Sequence, residues 1–219
     1  MPRAARDDGH PRLPRRRCGC PARPVRAGGE GSPSGELWRH PASERAVYLD
    51  PYIEHCPDSL FVAERDGVLV GYLTGCPPGA SLPSEDDRLV AALRRPAVLL
   101  RPATARFLGR AALDLATVCR REPSASGELK DDRWPAHLHI DVAPEARGTG
   151  AAYGLMDAWT GLLGGAGCHL QTLVENARAI RFFERCGFVP YGPSPTVPGV
   201  RHRGARVHQL TMVRPLPAA

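Results

Sequence analysis

The sequence predicts a mixed α/β domain, in which helices pack on the faces of one sheet. Three observations predict it: an early pair of strands joined by a tight turn, a strand–helix–strand–helix succession over 136–186, and two further strands near the end. A hairpin followed by such an alternation needs a sheet with both parallel and antiparallel neighbours, covered by helices.

The first half of the chain predicts short helices around a hairpin. ERAVYLDPYIEHCP is typical of short helical pieces broken at Pro51 and Pro57. LFVAERDGVLVGYLTG predicts two strands joined at Asp66-Gly67, a strong signal for a two-residue turn. Residues 77–88 form a polar, Pro-rich loop, and the helices RLVAALRR and TARFLGRAALDLATVCRR then follow, separated by prolines.

The second half alternates strand and helix. AHLHIDV predicts a strand, a glycine-rich turn follows, and AYGLMDAWTGLLGG has apolar residues at helical spacing. GCHLQTLV predicts the next strand. Asn176 is expected to cap the helix ARAIRFFERC, which ends at Gly187. FVPYG and ARVHQLTMV predict two last strands, joined by a loop rich in Pro, Gly and Arg.

Composition restricts the class of protein. Residues 1–35 hold eight Arg against three carboxylates, which leaves the rest of the chain nearly neutral although the total is +6. This Pro-, Gly- and Arg-rich tail predicts disorder, and a folded body without a basic excess argues against nucleic-acid binding. No apolar run is long enough for a membrane span. Seven scattered Cys and no secretory signal predict reduced thiols in a cytoplasmic protein.

The turn Arg147-Gly-Thr-Gly-Ala-Ala joins a strand to a helix and is the strongest functional signal. Such a turn exposes the first backbone N–H groups of the helix, where anions bind. A Walker A loop is excluded, because no Lys followed by Ser or Thr comes after Gly150. A dinucleotide fingerprint is excluded as well, because Tyr153 stands where its third glycine would fall.

Two motifs in order resemble those of the GNAT N-acyltransferase superfamily. The turn matches R-x-x-G-x-G/A and follows VAPEAR, and NARAIRFFERCGF at 176–188 matches the motif that the family has about 25 residues later. The resemblance covers roughly residues 44–76 and 134–214. It is nearest to bacterial GNAT proteins that resemble the acetyltransferase-like domain of O-GlcNAc hydrolases.

The resemblance implies a GNAT domain at 36–219, with a mostly antiparallel sheet, helices on both faces and a helical insertion at about 77–133. It implies acetyl-CoA as co-substrate and an unidentified amine as acceptor. The protein is expected to be a monomer or a homodimer. The backbone of Asp141 and Val142 is expected to pair with the pantetheine arm, which Asn176 also contacts. The pyrophosphate is expected on Arg147, Gly148, Thr149, Gly150, Ala151 and Ala152.

The resemblance also implies catalytic residues. A general base commonly lies on the strand before the turn, which makes Asp141 the first candidate and His139 the second. The usual acid is a Tyr at the position of Phe183, which cannot donate a proton; Tyr153, Tyr191 or a water could replace it. A GNAT-fold protein that binds acyl-CoA without turnover is therefore the alternative.

Two further readings of the residues stay open. His137-x-His139-x-Asp141 is similar to the H-x-H-x-D-H motif of metal-dependent hydrolases, but Val142 replaces its last His and the glycine turn would be unexplained, so no metal is expected. The acceptor side is expected to include side chains of the early helices and of the late loop. These are Tyr52, Glu54, His55, Asp58, Arg201, Arg203 and Arg206.

Overall fold

A computed structural model describes residues 41–94, 101–122 and 124–214. The tail predicted at 1–35 lies outside the described residues. The helices are α1 Pro41–Tyr48, α2 Asp50–His55, α3 Glu85–Leu93, α4 Pro102–Thr117, α5 Ala151–Leu163 and α6 Ala177–Arg185. The strands are β1 Phe61–Arg65, β2 Val68–Cys76, β3 Ala136–Val142, β4 Cys168–Leu173, β5 Val189–Pro190, β6 Thr196–His202 and β7 Ala205–Arg214.

The sheet is mixed and mostly antiparallel, which confirms the predicted fold class. Its strands run in the order β1-β2-β3-β4-β7-β5, and β6 pairs with β7. The pairing of β3 with β4 is parallel, whereas the other pairings between described strands are antiparallel. At the predicted hairpin, Asp66 and Gly67 have φ of 52° and 75°, as a two-residue turn between antiparallel strands requires.

Helices cover both faces, and alternate residues of β3 show which helix covers which face. Leu138 belongs to the main apolar core, together with Trp159 of α5 and Phe183 of α6. His137 points to the other side, where its Nε2 lies 2.9 Å from the Tyr52 hydroxyl of α2. We call the first side the core face and the second the histidine face.

Two predicted loops are partly regular structure. Residues 196–202 form strand β6, not a loop, because β6 pairs with β7 across a turn at Arg203 and Gly204. Pro198 and Gly199 obscured the strand in the sequence, and they lie where its register shifts, a place where a sheet tolerates proline. Helix α3 begins at Glu85, within the predicted 77–88 loop, because the Ser84 hydroxyl accepts the Asp87 N–H at 3.2 Å as an N-cap.

A buried carboxylate joins α4 to the β6–β7 hairpin. Asp114 is fully buried and accepts hydrogen bonds from Arg201 at 2.7 and 2.8 Å, from Arg206 at 2.8 Å and from the Gly199 N–H at 3.0 Å. The Arg201 hydrogen bonds, with those of Arg206 and Gly199, hold the pKa of Asp114 well below its usual range although burial opposes them. The charge is thus buried with its partners, as a stable interior requires.

Gly75 of β2 allows α5 to approach the sheet. A Cβ there would lie 2.5 Å from Trp159 Cη2 and 2.6 Å from the His137 carbonyl oxygen. We expect Gly75→Ala to lower the free energy of unfolding by about 1–3 kcal/mol, because the core must shift to admit the methyl group. Gly161→Ala, on α5 with open space around its Cβ, should instead raise it by up to about 1 kcal/mol. Urea unfolding measures both, and equal stability of the two variants would contradict this packing.

Candidate functional site

Strands β3 and β4 diverge and leave a cleft between them. Their pairing joins Ala136 to Cys168 and His137 to His169, and it does not extend further among the described residues. Yet β3 continues to Val142, and its other edge stays paired with β2 along that whole length. The backbone edge of β3 that faces β4 from Leu138 onward is therefore free to pair with an extended ligand.

The glycine turn lies where β3 ends, at the wide end of this cleft. Gly148 and Gly150 have φ of 78° and 86°, and a Cβ on either would meet no atom within 4 Å. Gly150 is the N-cap of α5 and provides no side-chain hydrogen bond to the first turn. The first N–H groups of a helix have no partner within the helix, so this turn presents donors and positive potential to open space. An anion fits that space.

Thr149 stabilises the turn from within. Its hydroxyl donates to the Ala146 carbonyl at 2.7 Å and lies 3.4 Å from the Ala151 N–H. The hydroxyl therefore stabilises the loop rather than pointing to a ligand. Thr149 is exposed beside the two glycines, so a ligand can still contact it. Ala151 and Ala152 follow as the first helical residues and are half-buried.

Asp141 and Arg147 interact electrostatically at the same end of β3. Burial lowers the pKa of the Arg147 guanidinium, Arg178 lowers it further, and Asp141 and Glu145 act in the opposite direction. The structure thus brings the first base candidate close to a predicted phosphate ligand. Arg178 was not recognised from the sequence, since its exposed helical position gives no local signal.

Asn176 caps α6, as predicted: its side-chain oxygen accepts the Ala179 N–H at 3.3 Å. The helix then packs beside the first turn of α5. The Phe182 ring lies 5.2 Å from the Tyr153 ring, and Arg185 Nε donates to the Tyr153 hydroxyl at 2.8 Å. Asn176 and the glycine turn therefore belong to two helices that contact each other.

The histidines of β3 form a cluster with Tyr52, which the sequence predicts on the acceptor side, and with residues that the sequence did not indicate. His137 Nε2 bonds to the Tyr52 hydroxyl, and the His139 ring makes edge contacts with Tyr48 and Tyr52 at 5.4 and 5.6 Å. On β4, His169 Nδ1 donates to the Trp134 carbonyl at 2.7 Å. Strand β4 and helix α2 come from parts of the chain distant from β3. From the sequence, only the alternation of side chains between the two faces of β4 could have predicted that His169 lies on the histidine face.

The cluster is neutral at physiological pH. Burial lowers the pKa of His137 to about 3 and that of His139 to about 4, and it raises the pKa of Tyr52. Tyr52 and His137 are therefore both neutral, and the tautomer of His137 sets which of them donates in their hydrogen bond. Among the described residues, His169 Nε2 and Thr74 Oγ1 are buried without a hydrogen-bond partner, so both can bind water or a ligand.

A buried ion pair bounds the cluster. Arg88 donates to the Val47 carbonyl at 2.9 Å and to Glu128 at 2.5 Å, and its guanidinium lies 5.4 Å from the centre of the Tyr52 ring. Its positive charge helps to keep both β3 histidines neutral. Arg88 and Glu128 belong to the predicted 77–133 insertion, which thereby contributes to this face.

The tyrosines considered as an acid are engaged elsewhere. Phe183 is 6% exposed and packs against Phe182 and Phe188. Tyr153 lies at the contact of α5 and α6. Tyr191 accepts from Arg133 at 2.7 Å and packs on Trp134, just before β3 begins.

The predicted acceptor residues do not form one group. Tyr52 is fully buried in the histidine cluster, whereas Glu54, His55 and Asp58 are exposed on or after α2. Arg201 and Arg206 are held by Asp114 and flank a hairpin. Of the late-loop residues, Arg203 forms the turn with φ of 51°.

In residues 41–94, 101–122 and 124–214, no group of three or more His, Cys, Asp or Glu is arranged to hold a metal ion. Within the same ranges, no helix is both long and apolar enough to cross a membrane.

The buried histidines predict a pH-dependent stability. Unfolded histidines bind protons below about pH 6.5, whereas His137 and His139 stay neutral in the fold until about pH 3 and 4. The unfolded state therefore binds more protons, and the free energy of unfolding should fall by about 2–4 kcal/mol from pH 7 to pH 5. His169, whose pKa is also lowered by burial, acts in the same direction.

Urea unfolding at several pH values measures this slope. His55→Gln, at an exposed position, is the control and should keep the slope. The double variant His137→Gln, His139→Gln should flatten it, whatever its total stability. A wild-type stability that does not change between pH 7 and pH 5 would contradict the buried neutral state.

Comparison with known proteins identifies the family of the chain. Residues 32–188 match the sequence model described as the acetyltransferase (GNAT) family. The chain is similar to the structure of "histone acetyltransferase HPA2 and related acetyltransferase" from Corynebacterium glutamicum, at 21% identity and a TM-score of 0.51, over 89% of this chain and 88% of that one. It is also similar to SsHAT, at 22% identity and a TM-score of 0.48 over 86% and 90% of the two chains. The structural likeness concerns the fold alone, but the sequence match spans more than two thirds of the chain, which belongs to the acetyltransferase (GNAT) family.

Proposed function

We propose that the protein is an acetyl-CoA-dependent N-acyltransferase that transfers the acetyl group directly to an amine. The observation that carries this proposal is the cleft between β3 and β4, which opens onto the glycine turn at the N-terminus of α5. An extended arm with an anionic end fits a cleft of unpaired backbone that leads to exposed N–H groups.

The proposal assigns each predicted contact a position in or beside this cleft. Val142 has the same parity on β3 as Ala136, whose N–H bonds to Gly167 just before β4, so its backbone groups face the cleft and can pair with the amide groups of the pantetheine arm. The backbone groups of Asp141, opposite Tyr72, point toward β2, so Asp141 would contribute to the cleft through its side chain.

Gly148, Gly150 and Ala152 would offer their N–H groups to the pyrophosphate, and Arg147 its guanidinium. The N–H groups of Arg147 and Thr149 donate within the turn, to the carbonyls of Pro144 and Ala146. Asn176 uses its amide oxygen as a helix cap, so its amide nitrogen is the group that would donate to the arm.

The reaction needs an amine that has lost a proton. Its nitrogen attacks the thioester carbonyl, a C–N bond forms, the C–S bond breaks, and the proton of the amine must leave. Asp141 is our first candidate to accept it and His139 the second. The neutral His139 has a lone pair available, but its low pKa means that it would pass the proton on to water.

The thiolate of coenzyme A would leave without a proton donor at position 183, because Phe183 cannot donate a proton. Phe183 packs in the core, and a thiol pKa near 8.5 makes a thiolate a tolerable leaving group. This same observation supports the second candidate function, an acyl-CoA-binding protein without turnover. A cytoplasmic location and a monomeric or homodimeric state belong to this proposal.

Gly150→Val tests the cofactor site. A valine at φ of 86° is strained, and its side chain enters the space proposed for the phosphates. Calorimetric titration with acetyl-CoA should show binding by the wild type and a loss of at least about tenfold in affinity for the variant, because one or more charged hydrogen bonds are lost.

The matched control is Gly79→Val, at φ of 81° and with equally open space, far along the chain from the turn. It should carry a similar backbone strain but bind acetyl-CoA like the wild type. No binding of acetyl-CoA by the wild type would refute the proposed function, and unchanged affinity of Gly150→Val would refute the phosphate position.

Turnover tests the base and separates the two functions. With a panel of primary amines and peptides, thiol release from acetyl-CoA should exceed the rate of hydrolysis for at least one acceptor. Asp141→Asn should then lower kcat by about 10²-fold or more while acetyl-CoA still binds, and His139→Ala should have the smaller effect. The reverse order would make His139 the base, and no release with any amine would favour the binding protein.

A further inference from the structure

Two free cysteines from different elements meet where α2 ends on the sheet. Cys56 follows the last residue of α2, and Cys76 is the last residue of β2. Both are unpaired thiols, 6% and 5% exposed, and they belong to one small cluster of buried side chains together with Tyr52. This cluster is separate from the main apolar core, to which Cys168 belongs. The fold therefore brings together two thiols from separate segments of the chain.

The Ser59 hydroxyl holds these two segments close to each other. It lies 2.7 Å from the Cys56 carbonyl oxygen and also contacts the carbonyl oxygen of Gly75, the residue before Cys76. The two thiols are in turn close enough to hydrogen-bond to each other. Because sulfurs in contact need only a small movement to reach bonding distance, this arrangement suits a disulfide.

Burial makes the pair slow to react. It raises the pKa of both thiols, that of Cys76 to about 12, and a thiol is a much poorer nucleophile than a thiolate. The hydrogen bond between them lowers the pKa of Cys56 and raises that of Cys76, so Cys56 ionises first. A reagent must therefore reach Cys56, which requires the end of α2 to move away from the sheet for a time.

We propose that Cys56 and Cys76 form a reversible disulfide, which holds the end of α2 on β2 under oxidising conditions. The Cys56 thiolate attacks one sulfur of a low-molecular-weight disulfide such as oxidised glutathione, whose S–S bond breaks and releases one glutathione thiolate. The Cys76 thiolate then attacks the Cys56 sulfur of the mixed disulfide and releases the second glutathione thiolate. Two cysteine thiols are oxidised, one glutathione disulfide is reduced, and the two protons lost by the cysteines pass to the two glutathione thiolates.

Such a disulfide acts on the histidine face through α2. The Cys56 N–H donates to the Tyr52 carbonyl at 2.8 Å, and Cys76 lies opposite His137 in the register of β2 and β3. Tyr52 and His137 are hydrogen-bonded to each other. A covalent bond between the two sulfurs therefore ties together the two segments that carry this hydrogen bond, and it should hinder the local opening of α2. The inference does not depend on the proposed function, and no readout of its test involves acetyl-CoA.

Peptide mapping tests whether the disulfide forms. The whole chain is equilibrated at about pH 8 in mixtures of reduced and oxidised glutathione, free thiols are blocked with an alkylating reagent, and trypsin then separates the two cysteines. Cleavage after arginine leaves Cys56 in peptide 46–65 and Cys76 in peptide 66–88. Mass spectrometry should find these peptides linked in the oxidised protein and separate again after dithiothreitol. The absence of this link at the most oxidising ratio, or a link from either peptide to another cysteine in its place, overturns the inference.

Hydrogen exchange measures the effect of the disulfide on α2. The amide hydrogens of α2 should exchange at least about tenfold more slowly in the oxidised protein than in the reduced protein. Cys76→Ala should abolish both the linked peptides and this difference. The matched control is Cys168→Ala, which removes an equally buried thiol from the main core and should keep both. Equal exchange in the two states of the wild type overturns the proposed hold on α2, and a redox response that persists in Cys76→Ala overturns the pairing.

Discussion

The separation of β3 from β4 is the constraint on which the rest of the structure depends. Each strand is fully paired on its outer edge, β3 with β2 and β4 with β7, so neither can move to close the gap without breaking those pairings. A buried backbone group without a partner costs about 1–3 kcal/mol. Among the described strands, the β3 backbone groups that face β4 beyond His137 therefore stay at a fixed place with no strand beside them, where an extended ligand can pair with them.

The two faces of the sheet differ in chemical character beside this cleft. The core face carries α5 and α6, whose contact through Tyr153 and Phe182 sets the distance between the glycine turn and Asn176. The histidine face is polar but neutral, because burial and Arg88 keep the imidazoles unprotonated. The imidazoles of this face therefore carry no positive charge at physiological pH, although the Arg88 guanidinium lies beside them.

The sequence revealed the parts that depend on local rules. The hairpin at Asp66-Gly67, strand β3, the turn glycines and the Asn176 cap each follow from a short stretch whose chemistry favours one conformation. Strand β6 was missed because Pro198 and Gly199 oppose a strand locally, and only its pairing with β7 overrides them. The ion pair of Asp114 and Arg201 could not be predicted either. The two residues are 87 positions apart, and no rule of sequence spacing indicates that they meet.

The parts that escaped prediction are largely those that build the histidine face. Arg88 comes from α3, Glu128 from the loop before β3, and Tyr52 from α2, and the three meet only through tertiary packing. The residues of the cofactor motifs, in contrast, lie within a few positions of one another. A cofactor is the same for every member of a family and can be held by a local motif, whereas an acceptor is met by a surface assembled from distant segments. The histidine face is such an assembled surface, and the motifs that identify the family do not extend to it.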